Sequence, residues 1–172
     1  MTGSSPISGV RLGAFSLERC IGQGGMAQVW RGQHVPTSTP VAIKLLTSVQ
    51  ASNAAVARGI ADEVHASASL HHPTIVALLD QDRIDAKAAS GSNGLLVEGT
   101  PYCVMELASG GTLIDHQKTL DWPGIRHVLL ALLDALSHAH SRSVVHRDLK
   151  PDNVLVCTSG DLRPGLKLTD FG

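Results

Sequence analysis

The sequence predicts an α+β fold, in which a small antiparallel β lobe with one helix precedes the first part of a mainly helical lobe. Three observations predict this class. Short segments rich in β-branched and aromatic residues fill the first half, and Gly or Pro/Ser/Thr turns separate them. An Ala-rich stretch with helical spacing follows them, and the strongest helical periodicity of the chain lies in the second half.

The first half starts with a Ser/Gly-rich stretch over residues 1–14, which we expect to be a flexible leader. The segments FSLERCIG, AQVWRGQHV and PVAIKLL then have the composition of strands, so three antiparallel strands are predicted. From Ser52 to Leu70 apolar residues recur at helical intervals, and Asn53 can cap this segment. One helix is therefore expected after the three strands.

The elements that follow alternate between strands and helices. HHPTIVALLDQDRI predicts a turn and a fourth strand, AKAASGSNG a flexible hairpin tip, and PYCVMEL another strand. After a short polar helix, Asp121 can cap a long helix. Apolar residues recur along that helix at three- and four-residue steps, namely Ile125, Val128, Leu129, Leu132, Leu133 and Leu136. NVLVCT and GLKLTD predict two short strands near the end of the sequence.

Composition and charge argue against several classes of protein. The 172 residues carry a net charge of −1, so no broad basic surface for nucleic acid is indicated. No apolar stretch is long enough to span a bilayer, and the start lacks a signal-peptide pattern. Cys20, Cys103 and Cys157 form no C-x-x-C pair, which favours a reduced, cytoplasmic setting over a disulfide framework. The neighbouring histidines lack the carboxylate or cysteine partners of a zinc site.

The stretch IGQGGMAQV places several glycines between two predicted strands. Glycines lack Cβ atoms and therefore let backbone N–H groups approach phosphate oxygens. The loop does not open a helix and no Gly-Lys-Ser/Thr follows it, so a dinucleotide fold and a Walker loop are both excluded. Taken alone, the motif is better explained as a ligand-free hairpin turn. Lys44 of VAIK lies on the third predicted strand, where it could be an ordinary exposed lysine or could reach a bound phosphate.

The stretch VVHRDLKPDNVLV carries more information. It presents Asp148, Lys150 and Asn153 from one loop between short strands, and Asp170 follows at the tip of LKLTD. Carboxylate and amide oxygens are hard ligands that suit Mg²⁺, which uses few protein groups together with phosphate oxygens. Glu63 on the predicted helix could hold Lys44 by a charge-assisted hydrogen bond, or could be an exposed helix carboxylate. Each feature alone could be ordinary, but the ordered set indicates phosphate chemistry.

From LERCIGQGGMAQVWRG through VAIK, HHPTIV, YCVMEL and HRDLKPDN to DFG, the sequence resembles the eukaryotic-type Ser/Thr protein kinase family. The Gly-Gly-Met loop looks like that of bacterial members, and DLKPDN is similar to the Ser/Thr-specific branch. The resemblance implies a protein-kinase-like fold with an N-lobe over 15–106 and a partial C-lobe over 107–172. It also implies transfer of the ATP γ-phosphoryl group to a protein Ser/Thr hydroxyl.

The resemblance further implies a role for each motif residue. Asp148 would accept or orient the proton of the substrate hydroxyl, and Lys150 would offset the γ-phosphate charge. Glu63 would orient Lys44, while Asn153 and Asp170 would hold Mg²⁺. Met105 would be the gatekeeper, and adenine would bond the backbone of the residues that follow it. The ATP-contacting set would be Ile21, Gly22, Gln23, Gly24, Gly25, Val29, Ala42, Lys44, Met105, Glu106, Ala108 and Leu155. Plain core packing is the alternative for its apolar members.

The sequence stops at Gly172, whereas the family continues into an activation loop and the helices that bind the protein substrate. Three readings stay open. The chain could be an active kinase, a pseudokinase-like ATP-binding module that docks to another polypeptide, or a piece of a longer gene product, which is the reading we expect. The expected partners are ATP and an unknown protein substrate, without nucleic acid. Part of the apolar face of the long helix is expected to be uncovered.

Overall fold

The computed structural model describes residues 7–24, 27–46 and 69–171. These residues belong to two compact units, each described separately below. The first unit contains residues 7–24, 27–46 and 78–105, and the second contains residues 69–77 and 106–171. The predicted helix that begins near Ser52, with Glu63, and Gly25 of the glycine loop lie outside the described residues.

The first unit is built on a six-stranded sheet with the strand order β1-β2-β3-β4-β6-β5. Antiparallel pairing joins β1 to β2, β2 to β3, β3 to β4 and β5 to β6. This confirms the three predicted strands as β2, β3 and β4, and the next two as β5 and β6. The strands are β1 (Arg11–Leu12), β2 (Phe15–Gln23), β3 (Gln28–His34), β4 (Thr39–Leu45), β5 (Leu78–Arg83) and β6 (Pro101–Glu106).

One face of this sheet carries the hydrophobic core of the first unit. Side chains alternate between the two faces of a strand, and the alternate residues that face the core are apolar. Trp30 on β3 lies opposite Ile43 on β4, and both are almost fully buried. The indole Nε1 of Trp30 donates to Gln28 Oε1 at 3.0 Å, so its polar atom is satisfied. The same core includes Leu17, Val41, Leu45, Tyr102 and Val104.

Residues 7–12 are folded and do not form a loose leader. Ile7 and Leu12 are each 1% exposed and belong to the core of the first unit. The pairing of Leu12 with Phe15 adds β1 to the edge of the sheet. The Ser/Gly-rich composition of this stretch suggested flexibility, but the burial of Ile7 and Leu12 orders its backbone.

The prediction of a flexible tip over AKAASGSNG is wrong, because most of the stretch forms helix α1 (Ala86–Gly91) and the turn after it. Asp85 caps the helix, since its Oδ1 accepts from the Ala88 N–H at 2.7 Å. Ala88 and Leu96 are both buried in the core. The helix cap and the two buried side chains therefore order this stretch despite its low-complexity composition.

The second unit combines helices with a two-stranded hairpin. Its elements are α2 (Leu113–His116), α3 (Trp122–His140), a 3₁₀ turn (Pro151–Asn153), β7 (Val154–Cys157) and β8 (Gly165–Leu168). Asp121 caps α3 as predicted, because its Oδ1 accepts from the Gly124 N–H at 2.9 Å. Residues 69–77 are tied to β8, since Leu168 N donates to Thr74 O at 2.7 Å and Val76 N donates to Leu168 O at 3.0 Å.

Helix α3 buries only part of its predicted apolar stripe. Its buried residues are Val128 and the small residues Ala135 and Ala139, and the two alanines join the core of the second unit. Ile125, Leu129 and Leu133 are exposed at 39%, 51% and 62%. The short alanine side chains let α3 approach the rest of the core closely. No helix within the described ranges has the length and apolar character required to cross a bilayer.

A glycine pair tests the packing of the first unit. A Cβ at Gly32 would lie 2.5 Å from Ser16 O and 2.7 Å from Ile43 Cδ1, whereas a Cβ at Gly91 meets nothing within 4 Å. We expect Gly32→Ala to lower the free energy of unfolding by about 1–3 kcal/mol through overpacking. Gly91→Ala should raise it by about 0.5–1 kcal/mol, because alanine is the better helix former. Urea unfolding of both variants checks this, and equal effects would contradict the close strand contact.

Candidate active site

The face of the sheet opposite the core of the first unit gathers most of the predicted ATP-contacting residues of that unit. Gly22 pairs with Val29, and Val29 pairs with Lys44, so the three stand in one row across β2, β3 and β4. Directly opposite residues share a face, and Ala42 shares it because it lies two residues before Lys44. Strand β6 is the neighbour of β4, and Met105 follows a core residue on β6. One sheet surface therefore presents the glycine strand, Lys44 and Met105, the residue predicted to be the gatekeeper.

The glycine loop lies at the closed end of the β2–β3 hairpin. Gln23 pairs with Gln28, and beyond them Gly24 N donates to Ala27 O at 2.9 Å. Ile21 is 40% exposed and lies two residues before the end of β2. The loop thus connects two antiparallel strands, as predicted.

The second unit brings together the three predicted catalytic-loop residues. Lys150 Nζ donates to Asp148 Oδ2 at 2.6 Å. Asn153 Nδ2 donates to Asp148 O at 2.8 Å and to Asp148 Oδ2 at 3.1 Å. The hydrogen bonds from Lys150 and Asn153 lower the pKa of Asp148, and the bond to Asp148 raises the pKa of Lys150. Asp148 is therefore an exposed, ionised acceptor whose position two neighbours fix.

Asp170 is positioned through the residue before it. Thr169 N donates to Asn153 O at 2.9 Å, and Thr169 O accepts from His146 Nε2 at 2.9 Å. These bonds join the end of the β8 segment to the catalytic loop, so the oxygen ligands predicted for Mg²⁺ lie on directly bonded segments. The donor set fits that ion, because an amide oxygen on Asn153 and the Asp170 carboxylate are hard ligands and leave other positions for water and phosphate.

Two residues of this site have left-handed backbone conformations. Arg147 has φ of 63° and Asp170 has φ of 61°. Such a conformation is uncommon for residues other than glycine, and it costs more for a long side chain such as arginine than for aspartate. Strain of this kind persists only where surrounding contacts enforce it, and it is concentrated at functional sites.

His146 is a site residue that the sequence did not reveal. It is 2% exposed, its ring lies 4.7 Å from the ring of Phe171, and its Nδ1 accepts from the Asp148 N–H at 3.3 Å. With Nε2 donating to Thr169 O, both ring nitrogens are used and the neutral tautomer is defined. Burial lowers the pKa of His146. Its place in the HRD motif was visible, but nothing in the sequence indicated that the ring is buried.

The segment after Glu106 runs along β7. Gly110 N donates to Val156 O at 2.8 Å, and Val156 N donates to Gly111 O at 2.9 Å. A Cβ at Gly110 would lie 2.6 Å from Val156 O, so this approach requires glycine. Leu155, one of the predicted ATP-contacting residues, pairs with Thr112 through an isolated β-bridge. The structure thus places Leu155 beside the segment that contains Ala108.

The side chain of Glu106 is also a feature that sequence reasoning missed. It has no exposed surface, and its carboxylate accepts from Ala77 N at 2.8 Å, from Arg163 Nε at 2.9 Å and from Arg163 Nη2. The backbone N–H of Glu106 donates to Ala77 O at 3.0 Å, which leaves its carbonyl as the group that can bond a ligand. Arg163 lies 57 residues away in sequence, so no local pattern predicts this pair.

The known proteins that this chain is similar to are protein kinases. A family model described as the protein kinase domain matches residues 15–172. Serine/threonine-protein kinase Pkn1 of Myxococcus xanthus is 34% identical over 168 residues, which cover 97% of this chain and 22% of the relative. Serine/threonine-protein kinase PknA of Mycobacterium tuberculosis is 37% identical over 173 residues, which cover 98% of this chain and 37% of the relative.

A solved structure shows the same fold. The crystal structure of the Mycobacterium tuberculosis PknI kinase domain matches with a TM-score of 0.70 and 25% sequence identity. The match covers 95% of this chain and 62% of the solved chain. The chain therefore spans less than two thirds of that structure, and less than two fifths of the two curated relatives named above.

The buried, neutral His146 predicts an acid-dependent loss of stability. Its pKa is lowered from 6.5 in the folded protein, so the unfolded chain takes up a proton first as the pH falls. Stability from this group is complete above pH 6.5 and is lost as the pH falls towards the lowered value. We expect His146→Gln to lower the stability at neutral pH. It should also make the fall of the unfolding free energy with falling pH less steep, by at most about 1.4 kcal/mol per pH unit. Urea unfolding between pH 5 and 7.5 measures this.

The matched control is His127→Gln, which replaces an exposed histidine on α3. It should leave the decline in place. If the unfolding free energy of His146→Gln falls with pH as steeply as that of the wild type, the neutral buried ring does not cause the acid-dependent loss of stability.

Proposed function

This chain belongs to the eukaryotic-type Ser/Thr protein kinase family, and on that premise we propose that it takes part in transfer of the ATP γ-phosphoryl group to a Ser or Thr hydroxyl of a protein. The observation that carries the proposal is the hydrogen-bonded set of Asp148, Lys150 and Asn153. An ionised acceptor, a cation and an amide lie within hydrogen-bond distance on one loop, next to the segment that delivers Asp170.

In this proposal the protein positions groups and neutralises charge, because phosphoryl transfer needs little covalent participation from the enzyme. Asp148 Oδ2 accepts the hydrogen bond of the incoming hydroxyl and holds it in line. Lys150 exchanges its bond to Asp148 for one to the transferring phosphoryl oxygens. Asn153 keeps the carboxylate oriented through its Nδ2 bonds. When bound by Asn153 and Asp170, Mg²⁺ supplies positive charge that offsets the phosphate oxygens.

The first unit supplies the nucleotide-binding groups in this proposal. Gly22 and Gly24 approach the phosphates, Lys44 contacts the α and β phosphates, and Glu63 orients Lys44. The single sheet face that holds Gly22, Val29, Ala42 and Lys44 supports this assignment. Residues 15–106 act as the N-lobe and residues 107–172 as part of the C-lobe. The adenine would bond the Glu106 carbonyl and the Ala108 N–H.

The proposed substrate is a protein hydroxyl, and the proposed setting is the cytoplasm. The charge of −1 supports a protein substrate over nucleic acid. Cys20, Cys103 and Cys157 form no disulfide with one another, and two of them are buried, which supports a reducing compartment.

Two substitutions separate nucleotide binding from transfer. Lys44→Met should abolish the rise in melting temperature that ATP with Mg²⁺ produces, because it removes the phosphate contact. Asp148→Asn should keep that rise and abolish phosphoryl transfer, because Asp148 serves the hydroxyl. ATP at a hundred times its dissociation constant should stabilise the wild type by about 2.7 kcal/mol. Thermal unfolding and transfer of labelled phosphate to a generic protein substrate are the measurements.

The outcomes distinguish the two readings of the site. Binding without any transfer by the wild type would favour an ATP-binding module that lacks phosphotransfer. A folded wild type with no thermal shift would overturn the nucleotide site itself. Lys150→Met serves as the matched partner of Asp148→Asn and should also keep the shift while slowing transfer.

A further inference from the structure

We propose that Arg163 is a positioning residue, which holds the segment 106–108 in the place where its backbone bonds adenine. The proposal rests on the proposed function, because adenine binding by this segment is part of it. Arg163 lies in the turn between β7 and β8 and belongs to none of the motifs in the sequence. No role is implied for it by the order of those motifs.

The guanidinium of Arg163 bonds two separate parts of the second unit. It donates to both carboxylate oxygens of Glu106, to His72 O at 3.3 Å and to Ile75 O at 2.7 Å. One planar side chain therefore joins the β7–β8 turn, the segment 72–77 and the start of the segment 106–108. A guanidinium suits this role because its donors form a fixed fork, which a lysine ammonium cannot reproduce.

Glu106 depends on this partner for its own placement. Its side chain has no exposed surface, and a buried carboxylate without a cation is costly. The third donor to it is Ala77 N, and the Glu106 N–H in turn bonds Ala77 O. Without Arg163, the Glu106 carboxylate would turn towards water. This would break its bond from Ala77 N and leave the backbone bond from Glu106 N to Ala77 O without that support. The carbonyl that faces the ligand belongs to this same residue and would move with it.

Neighbouring groups do not replace Arg163. Lys167 is 1% exposed and donates to Pro73 O, so it already holds another part of the same segment. Burial lowers the pKa of Lys167, whereas the Glu106 carboxylate raises the pKa of Arg163. Arg163 is thus the cation matched to Glu106, with Lys167 placed against a carbonyl.

The far end of the segment has a separate tether. Asp161 Oδ2 accepts from Ser109 N at 3.0 Å, from Ser109 Oγ at 2.9 Å and from Thr158 N at 2.7 Å. Asp161 lies in the same turn as Arg163, so one turn holds both the first residue of the segment 106–108 and Ser109, which follows it. Because the two tethers act on different residues, Asp161 provides an internal comparison.

The first experiment measures hydrogen–deuterium exchange of the nucleotide-free protein. In Arg163→Met the amides of Ala77 and Glu106 should exchange about tenfold faster, because both bond across the Ala77–Glu106 pair. Asp161→Ala should instead accelerate exchange at Ser109 and Thr158. Arg126→Met removes an exposed arginine of α3 and should change neither pair. Amides of α3 are the internal reference, because a general loss of stability would accelerate them as well.

The second experiment measures ATP affinity and turnover. Arg163→Met should raise the KM for ATP about tenfold and leave kcat within about twofold, because adenine placement changes while the Asp148 loop does not. Arg163→Lys should recover part of the affinity, since it restores the charge without the fork. Glu106→Gln combined with Arg163→Met should bind ATP no more weakly than Arg163→Met alone, because the buried charge is gone.

The results separate this inference from the proposed function. Unchanged exchange at Ala77 and Glu106, or acceleration equal to that in α3, overturns the positioning role whether or not ATP binds. A wild type that binds no ATP overturns the proposed function, while the exchange data still decide whether Arg163 holds the segment. Equal ATP affinity of the wild type and Arg163→Met overturns the inference and leaves the function standing.

Discussion

A carboxylate without exposed surface must be paired, and the pairing of Glu106 with Arg163 is the constraint on which the second unit depends most. It brings the β7–β8 turn, residues 72–77 and the chain after β6 to one point. Hydrogen bonds from the backbone of Ala77 complete the acceptor sites of the carboxylate. The segment expected to meet adenine is therefore fixed by its side chain, which leaves its backbone carbonyl for a ligand.

The loop that carries Asp148, Lys150 and Asn153 differs from this, since its charged groups are exposed and the residues that support them are buried. Asp148 and Lys150 face solvent, whereas Asn153 and His146 are 5% and 2% exposed. Asn153 bonds both the backbone and the side chain of Asp148, and His146 links that loop to Thr169. The left-handed residues Arg147 and Asp170 lie directly next to residues that make these bonds. The charged groups of the loop thus stay accessible to solvent, while buried neighbours orient them through hydrogen bonds.

Patterns confined to a few neighbouring residues predicted much of the fold. Strands β2, β3 and β4, the cap at Asp121 and the β7–β8 hairpin follow from alternation, capping and turn residues that act locally. Helix α1 was missed because its Ser/Gly-rich composition outweighed the Asp85 cap, and β1 was missed because two buried side chains stand among small polar residues. Both errors arise where burial against distant strands decides the outcome.

The sequence by itself determined the family, the order of the motifs and the types of chemical group at the site. The reason is that glycines, a lysine, carboxylates and an amide have the same functional groups whatever the fold. Tertiary structure alone decided which groups orient them. The partner of Glu106, the neutral burial of His146 and the tether at Asp161 join residues far apart in the chain. Burial and hydrogen-bond geometry depend on distant segments meeting, and a linear sequence does not state which segments meet.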